Sequence, residues 1–374
     1  MAVVWAGETP GPTAGRRPAL QLSMLLHGIL PPITTPFYPD GSVYLKKLEH
    51  NVAQYSKTPI AGIVVLGSTG EAVMLSDQEQ RDVLKVAREA AAPQKVLVAG
   101  TGLESARETL RLTEYAAELG YDAALVRTPH YFKSQMKPLN TLTFFRTVAD
   151  RSPLPVIIYN FPQCTGYDIP AEVVIELAEH RNIIGIKESG GEVEKVRKMV
   201  EGTRHIKRTA IVTEVFAAVT GRMLVAPSGE DATADVVPLG ALISGPAAAV
   251  QAPPKLKTRT KEVGFQVLVG AAHQLETSLQ VGAVGAILAF ACPAPTACFE
   301  IYAAWKEGDA ELAREKQQRI SEAAQRVVAG FSIAGVKYAM DLNGYYGGQP
   351  RLPLLPLIAE QKREVEQLMS EIKN

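Results

Sequence analysis

Eight short runs of apolar, largely β-branched residues recur along this chain, and most are separated by stretches with helical spacing. They occupy 29–34, 63–66, 96–99, 123–127, 156–159, 183–187, 265–269 and 285–289. The runs are apolar at nearly every position rather than at alternate ones. Both faces of each strand must therefore be covered, as in a parallel sheet held between layers of helix. Stretches such as 77–92, 105–119 and 170–180 supply the helices, and Ser76 or Asp77 is placed to cap the first, with Glu79 in its opening turn. Eight strand–helix units predict an α/β architecture closed into a (β/α)8 TIM barrel. A doubly wound open sheet is the runner-up, but it calls for a glycine-rich phosphate turn after the first strand, where this chain has Thr34-Thr35-Pro36.

The barrel is expected over 26–292. Residues 1–25 read as a disordered N-terminal extension, or the product of a misplaced start codon, rather than a targeting segment: the glycines, prolines and Arg16-Arg17 come without the apolar centre of a secretory signal. Beyond 292 the strands stop, and helical stretches at 294–305, 310–329, 332–342 and 358–372 predict a C-terminal helical domain over 293–374. One region breaks the rhythm. Between the helix at 192–200 and the strand at 265 lie about sixty residues where a barrel needs a handful. This insertion, 205–264, falls on a helix-to-strand connection, hence on the face opposite the barrel mouth, and no catalytic part is expected of it. It reads as a tolerated surface insertion or a gene-model error, with a partner-binding module as the sharper alternative.

Charge narrows the partners. With 39 basic and 39 acidic residues there is no electrostatic reason to expect nucleic acid or an anionic membrane. Two uncharged stretches, 236–254 and 277–299, are broken by prolines and glycines and are poor in large apolar side chains, so neither reads as a membrane span. Cys164, Cys292 and Cys298 form no CxxC pair, which suggests a reducing, cytoplasmic setting.

The chemistry is expected where two neighbouring runs end, at Tyr159 and Lys187. Strands that end in a barrel mouth deliver their last side chains to a shared, partly dry pocket. Burial there brings a lysine amine toward a pKa of about 7–8, where it can lose its proton and attack a carbonyl. Tyr159 would shuttle protons. Gly67-Ser68-Thr69-Gly70-Glu71 forms a turn whose backbone amides and hydroxyls could hold a carboxylate. Each feature has a plainer reading: a strand-end lysine is commonly a solvated charge, a tyrosine a packing residue, a glycine-bounded turn merely a turn. Glu71 and Glu188 could simply anchor loops. No cluster of His, Asp or Glu has metal-ligand spacing, so no metal is expected, and no cofactor beyond a covalent imine on Lys187.

Three motifs in order, Gly67-Ser68-Thr69-Gly70-Glu71, Tyr159-Asn160-Phe161-Pro162 and Gly185-Ile186-Lys187-Glu188-Ser189, resemble the dihydrodipicolinate synthase / N-acetylneuraminate lyase superfamily of pyruvate-dependent class I aldolases. The resemblance covers about 28–204 and 265–355. Within it, Lys337-Tyr338-Ala339-Met340-Asp341, Gly344-Tyr345-Tyr346-Gly347-Gly348, Arg351-Leu352-Pro353-Leu354, Thr128-Pro129-His130-Tyr131 and Ser189-Gly190-Gly191 are most similar to 4-hydroxy-2-oxoglutarate aldolases. It implies catalytic roles for Lys187, Tyr159, Ser68 (or Thr69) and Tyr131, the last lent by an adjacent subunit of a dimer or tetramer. It also implies a substrate-binding set of Thr69, Gly70, Asn160, Ser189, Gly190 and Ile287, acting on a small 2-oxo acid. One departure is informative. Dihydrodipicolinate synthases carry an arginine after the Tyr-Asn-x-Pro motif, and here Cys164 stands there, unable to supply a bidentate fork. The expected reaction is therefore cleavage or formation of a 4-hydroxy-2-oxo acid such as 4-hydroxy-2-oxoglutarate. Condensation of pyruvate with aspartate semialdehyde, dehydration of a sugar acid and a non-enzymatic scaffold are the alternatives.

Overall fold

The computed structural model describes residues 23–224 and 256–372. Its strands, in chain order, are β1 (Gly28–Leu30), β2 (Gly62–Val65), β3 (Val96–Gly100), β4 (Ala123–Arg127), β5 (Val156–Asn160), β6 (Ile183–Glu188), β7 (Arg208–Thr213), β8 (Thr258–Val263), β9 (Gln266–Val269) and β10 (Gly285–Ile287). Eight of them form one parallel sheet in the order β1-β10-β9-β6-β5-β4-β3-β2. The ring closes where Pro32 bridges to Val64, with the Ile33 amide donating to the Val64 carbonyl and the Val64 amide to that of Pro31, each at 3.0 Å. This is the expected (β/α)8 barrel, and each of the eight sequence runs overlaps one of its strands, although 29–34 and 285–289 run on past the ends of β1 and β10.

Alternation along the strands sorts the apolar residues into two shells. Leu30, Val64, Val98, Leu125, Ile157, Leu268 and Ile287 fill the lumen. Their neighbours Ile29, Ile63, Leu97, Val126, Ile158 and Ile186 face outward into a larger cluster shared with the helices. The helix Asp77–Ala90 begins with the expected cap: the Ser76 hydroxyl accepts from the Glu79 amide at 3.2 Å, and the Glu79 carboxylate accepts from the Ser76 amide at 2.9 Å.

The described ends of the insertion differ from a loose surface loop. β7 and β8 pair antiparallel, from Arg208 opposite Val263 to Thr213 opposite Thr258. Ala210, Val212 and Val263 bury against Leu25 and close the barrel from beneath. Arg208 donates to the carbonyls of Ile183, Ala178 and His180, and Thr220 to that of Pro93. The sequence conceals this hairpin because its exposed positions are polar and its buried ones small. Residues 225–255 of the insertion lie outside the described residues, as do 1–22 of the N-terminal extension. Residues 23–25, expected to be disordered, are ordered: the Ser23 amide donates to the Thr209 carbonyl, the Met24 carbonyl accepts from Gln266, and Leu25 is buried.

The C-terminal helices, Pro295–Glu307, Ala310–Gln325, Ser332–Leu342 and Ala359–Met369, do not enclose a core of their own. One apolar cluster runs from the barrel's outer shell through Ile301, Ile320, Met340 and Val365 to Ile372. Among the described residues no helix is long and apolar enough to cross a membrane.

Candidate active site

Adjacent strands β4, β5 and β6 are in register with Arg127 opposite Tyr159 and Tyr159 opposite Lys187. Leu125, Ile157 and Tyr159 belong to the lumen cluster, so by alternation these three polar side chains form one row on the inner face at the barrel mouth. The Lys187 amine lies 4.2 Å from the centre of the Tyr159 ring, and the residue is 4% exposed. Burial among apolar neighbours lowers its pKa from 10.5 to about 7. The same burial pushes the Tyr159 phenol well above its ordinary range, against the pull of hydrogen bonds to Ser68 and Ser189. The Ser68 hydroxyl is 3.3 Å from the Tyr159 hydroxyl. At neutral pH the site therefore holds an amine that is often uncharged beside a phenol that keeps its proton.

A pH dependence follows. Below the amine's pKa the ammonium form dominates and cannot attack, so the rate of imine formation with pyruvate should fall about tenfold per pH unit. Above it the rate should level off. Borohydride trapping at timed intervals would read the midpoint, expected near 7; a midpoint near the ordinary lysine value would contradict the buried-amine account.

The turn after β2 supplies the opposite wall. The Gly70 amide donates to the Gly67 carbonyl and the Glu71 amide to that of Ser68, both at 3.0 Å. Among the described residues no hydrogen bond engages the amides of Ser68 or Thr69, which leaves two donors for a carboxylate. At Gly70 a Cβ would sit 3.0 Å from the Ile33 carbonyl oxygen, so any larger residue would press the turn against its neighbour by a few tenths of an ångström. Glu71, at φ 57°, holds the turn from behind. Its buried carboxylate pairs with the Lys337 amine at 2.5 Å and accepts from the Arg351 amide at 2.8 Å. Lys337 also donates to the carbonyls of Thr35 and Gln349. The loop-anchoring reading of Glu71 fits this geometry.

Of the expected site residues, Lys187, Tyr159, Ser68, Thr69, Gly70 and Ser189 come together, and Ile287 faces the lumen below them. Asn160 does not join them. It follows Tyr159 and points to the other side of β5, where its amide donates to Glu188 and Asp168 and its carbonyl accepts from the Ile169 amide. Gly190 is likewise engaged, its amide donating to the Glu188 carboxylate at 2.5 Å. Asn160 therefore faces away from the pocket, because a one-residue step along β5 reverses the face, and Gly190, in the loop beyond β6, is tied to the Glu188 carboxylate. Tyr131 is 77% exposed on the loop after β4. Sequence reasoning missed Arg127. It appeared only as the end of an apolar run, and its register with Tyr159 is set by the folded ring.

A desolvated lysine beside a protonated phenol in a barrel mouth is the pairing that a class I lyase, one that works through a Schiff base, requires. Comparison with known proteins narrows this. A model of the dihydrodipicolinate synthetase family matches residues 25–212 and 248–372. The 4-hydroxy-tetrahydrodipicolinate synthase of Methanosarcina barkeri is 30% identical over 342 residues, covering 91% of this chain and 96% of its own. That of Methanothrix thermoacetophila is 28% identical over 94% of this chain and 98% of its own. Among solved structures, the 4-hydroxy-tetrahydrodipicolinate synthase of Methylacidiphilum fumariolicum superposes with a TM-score of 0.72 at 25% identity, covering 92% of this chain and 95% of that one. A prophage protein of the same family from E. coli K12, in complex with pyruvate, gives 0.71 at 26% identity, covering 93% and 99%. The chain belongs to the dihydrodipicolinate synthetase family. It is a class I pyruvate aldolase or lyase of that family.

Proposed function

We propose that the enzyme joins pyruvate to a carboxylate-bearing aldehyde, or runs the reverse cleavage, through an imine on Lys187. The observation that carries this is the in-register pair of Lys187 and Tyr159, an amine and a phenol whose burial favours the neutral form of each. The neutral amine attacks C2 of pyruvate, and Tyr159 passes a proton to the departing hydroxyl as water is lost. The protonated imine withdraws electrons from C3, which gives up a proton to form an enamine. The enamine carbon then attacks the aldehyde, and hydrolysis frees the product and restores the amine.

Two aldehydes are favoured by different observations. Aspartate semialdehyde is supported by the relatives, which carry the name 4-hydroxy-tetrahydrodipicolinate synthase. Glyoxylate, with 4-hydroxy-2-oxoglutarate as the compound cleaved, is supported by Cys164, which offers no guanidinium after Tyr159-Asn160-Phe161-Pro162. Pyruvate release from 4-hydroxy-2-oxoglutarate, measured beside pyruvate consumption with aspartate semialdehyde, tests both; activity in neither would sink the proposal. Tyr131 is proposed to complete the site of a neighbouring copy. Turnover should accordingly fall when the protein is diluted into single chains, and a fully active monomer would contradict that role.

A further inference from the structure

We propose that Arg127 forms the anion-binding subsite for the carboxylate of the second substrate, at the end of the pocket away from Lys187. This rests on the Schiff-base reading above and adds the chemistry of the partner aldehyde. Arg127 stands two strands from Lys187 in the same register row, with Tyr159 between them. At ~4.8 Å per strand the backbones are about 10 Å apart. Lys187 already leans over the Tyr159 ring, which shortens the gap that a substrate bonded to its nitrogen must bridge.

The arginine side chain is 14% exposed, and its partners all fall on one nitrogen. Nη1 donates to the Glu104 carboxylate at 3.0 Å and the Thr128 carbonyl at 3.2 Å, and lies 2.8 Å from Nδ1 of His130. Among the described residues no hydrogen bond engages Nε or Nη2. Those two N–H groups share one edge of the guanidinium, the edge that grips a carboxylate with two parallel bonds. A cavity lined by Ser68, Gly100, Gly102, Leu125, Arg127 and Tyr159 adjoins it. Gly102 makes room for this arrangement, since a Cβ there would come within 2.9 Å of the Arg127 Cγ and 2.4 Å of its backbone nitrogen. Glu104 also accepts the amides of His130 and Tyr131, which fixes the loop and aims Nη1 away from the pocket. A half-buried guanidinium with its bidentate edge unused, lining a cavity next to Tyr159, is suited to receive an anion.

The test needs no turnover. Pyruvate, 2-oxopentanoate and 2-oxoglutarate all present a 2-oxo acid to Lys187, but only 2-oxoglutarate carries a second carboxylate at the far end. Borohydride trapping, read by the mass added to Lys187, gives the half-saturating concentration of each. In the unaltered protein 2-oxoglutarate should saturate well below 2-oxopentanoate. In Arg127→Met its half-saturating concentration should rise about 100-fold, while pyruvate and 2-oxopentanoate move less than about threefold. Arg127→Lys, which keeps the charge but loses the planar fork, should fall between. Equal shifts for all three acids, no shift for any, or loss of pyruvate trapping in the variants alone would each overturn the proposal. If Arg127→Met does not fold, Arg127→Lys and the unaltered protein's preference still decide, since no preference for 2-oxoglutarate also overturns it. Failure of the unaltered protein to trap pyruvate at all would instead strike the Schiff-base reading.

Discussion

Lys187→Met is expected to abolish turnover and borohydride-trapped pyruvate while making the protein more stable at neutral pH. The first half follows from chemistry, since a thioether cannot form an imine. The second follows from burial. The folded chain holds this amine at a pKa of about 7 against 10.5 for an ordinary lysine. Below pH 7 the folded state carries a proton on a desolvated nitrogen, at a penalty on the order of 3–5 kcal/mol. Between about 7 and 10.5 the unfolded chain binds the proton and the folded chain does not, so stability rises with pH across that window and the penalty fades. Methionine has similar length and no charge to desolvate. Its gain should be largest below pH 7 and vanish toward pH 10.5. Urea denaturation of both proteins at pH 6, 8 and 10 would measure it. A variant less stable than its parent at pH 6 would show that the amine is not held in a dry site.

Lys337→Met should have an effect of similar size and opposite sign. Lys337 is fully buried, lies 4.4 Å from the Phe37 ring centre and neutralises the buried Glu71 carboxylate. Replacing one partner of such a pair leaves the other charge desolvated, which costs about 3–5 kcal/mol. Because Glu71 holds the turn that carries Ser68 and Thr69, the half-saturating concentration of pyruvate should rise as well. Adding Glu71→Gln to Lys337→Met should recover part of the stability, since the stranded charge is then gone. A loss below about 1 kcal/mol, or a double variant no better than the single one, would show that the pair is not what secures the turn.

These two lysines show how far the chain could be read before folding. Strands buried on both faces leave unbroken apolar runs, so the eight barrel strands were visible, and a cation closing such a run marked Lys187. Lys337 was visible only as part of a resembling segment, because its partner lies 266 positions earlier and no local pattern encodes a pairing across the fold. Asn160 was misplaced for a different reason. Proximity in sequence to a reactive residue says nothing about face, and a strand reverses face at every step. Arg127 was overlooked because its meaning depends on the register of β4 against β5, which the packing of the whole ring decides. The β7–β8 hairpin escaped notice because only Ala210, Val212 and Val263 bury, too few and too small to stand out from a polar stretch.

That hairpin also settles what an excursion between its strands does to the enzyme. Thr213 and Thr258 sit opposite one another, and after Thr213 the chain stays tied to the barrel as far as Arg222, which donates to the carbonyls of Ala91 and Ala92. The stretch 225–255 thus joins two anchored chain ends, so its length does not alter the span between them. Closure entropy grows only logarithmically, by ~0.6 kcal/mol for each doubling. This makes the site a natural grafting position, where sequence can be lengthened, trimmed or exchanged for cargo while the catalytic end of the molecule is left undisturbed.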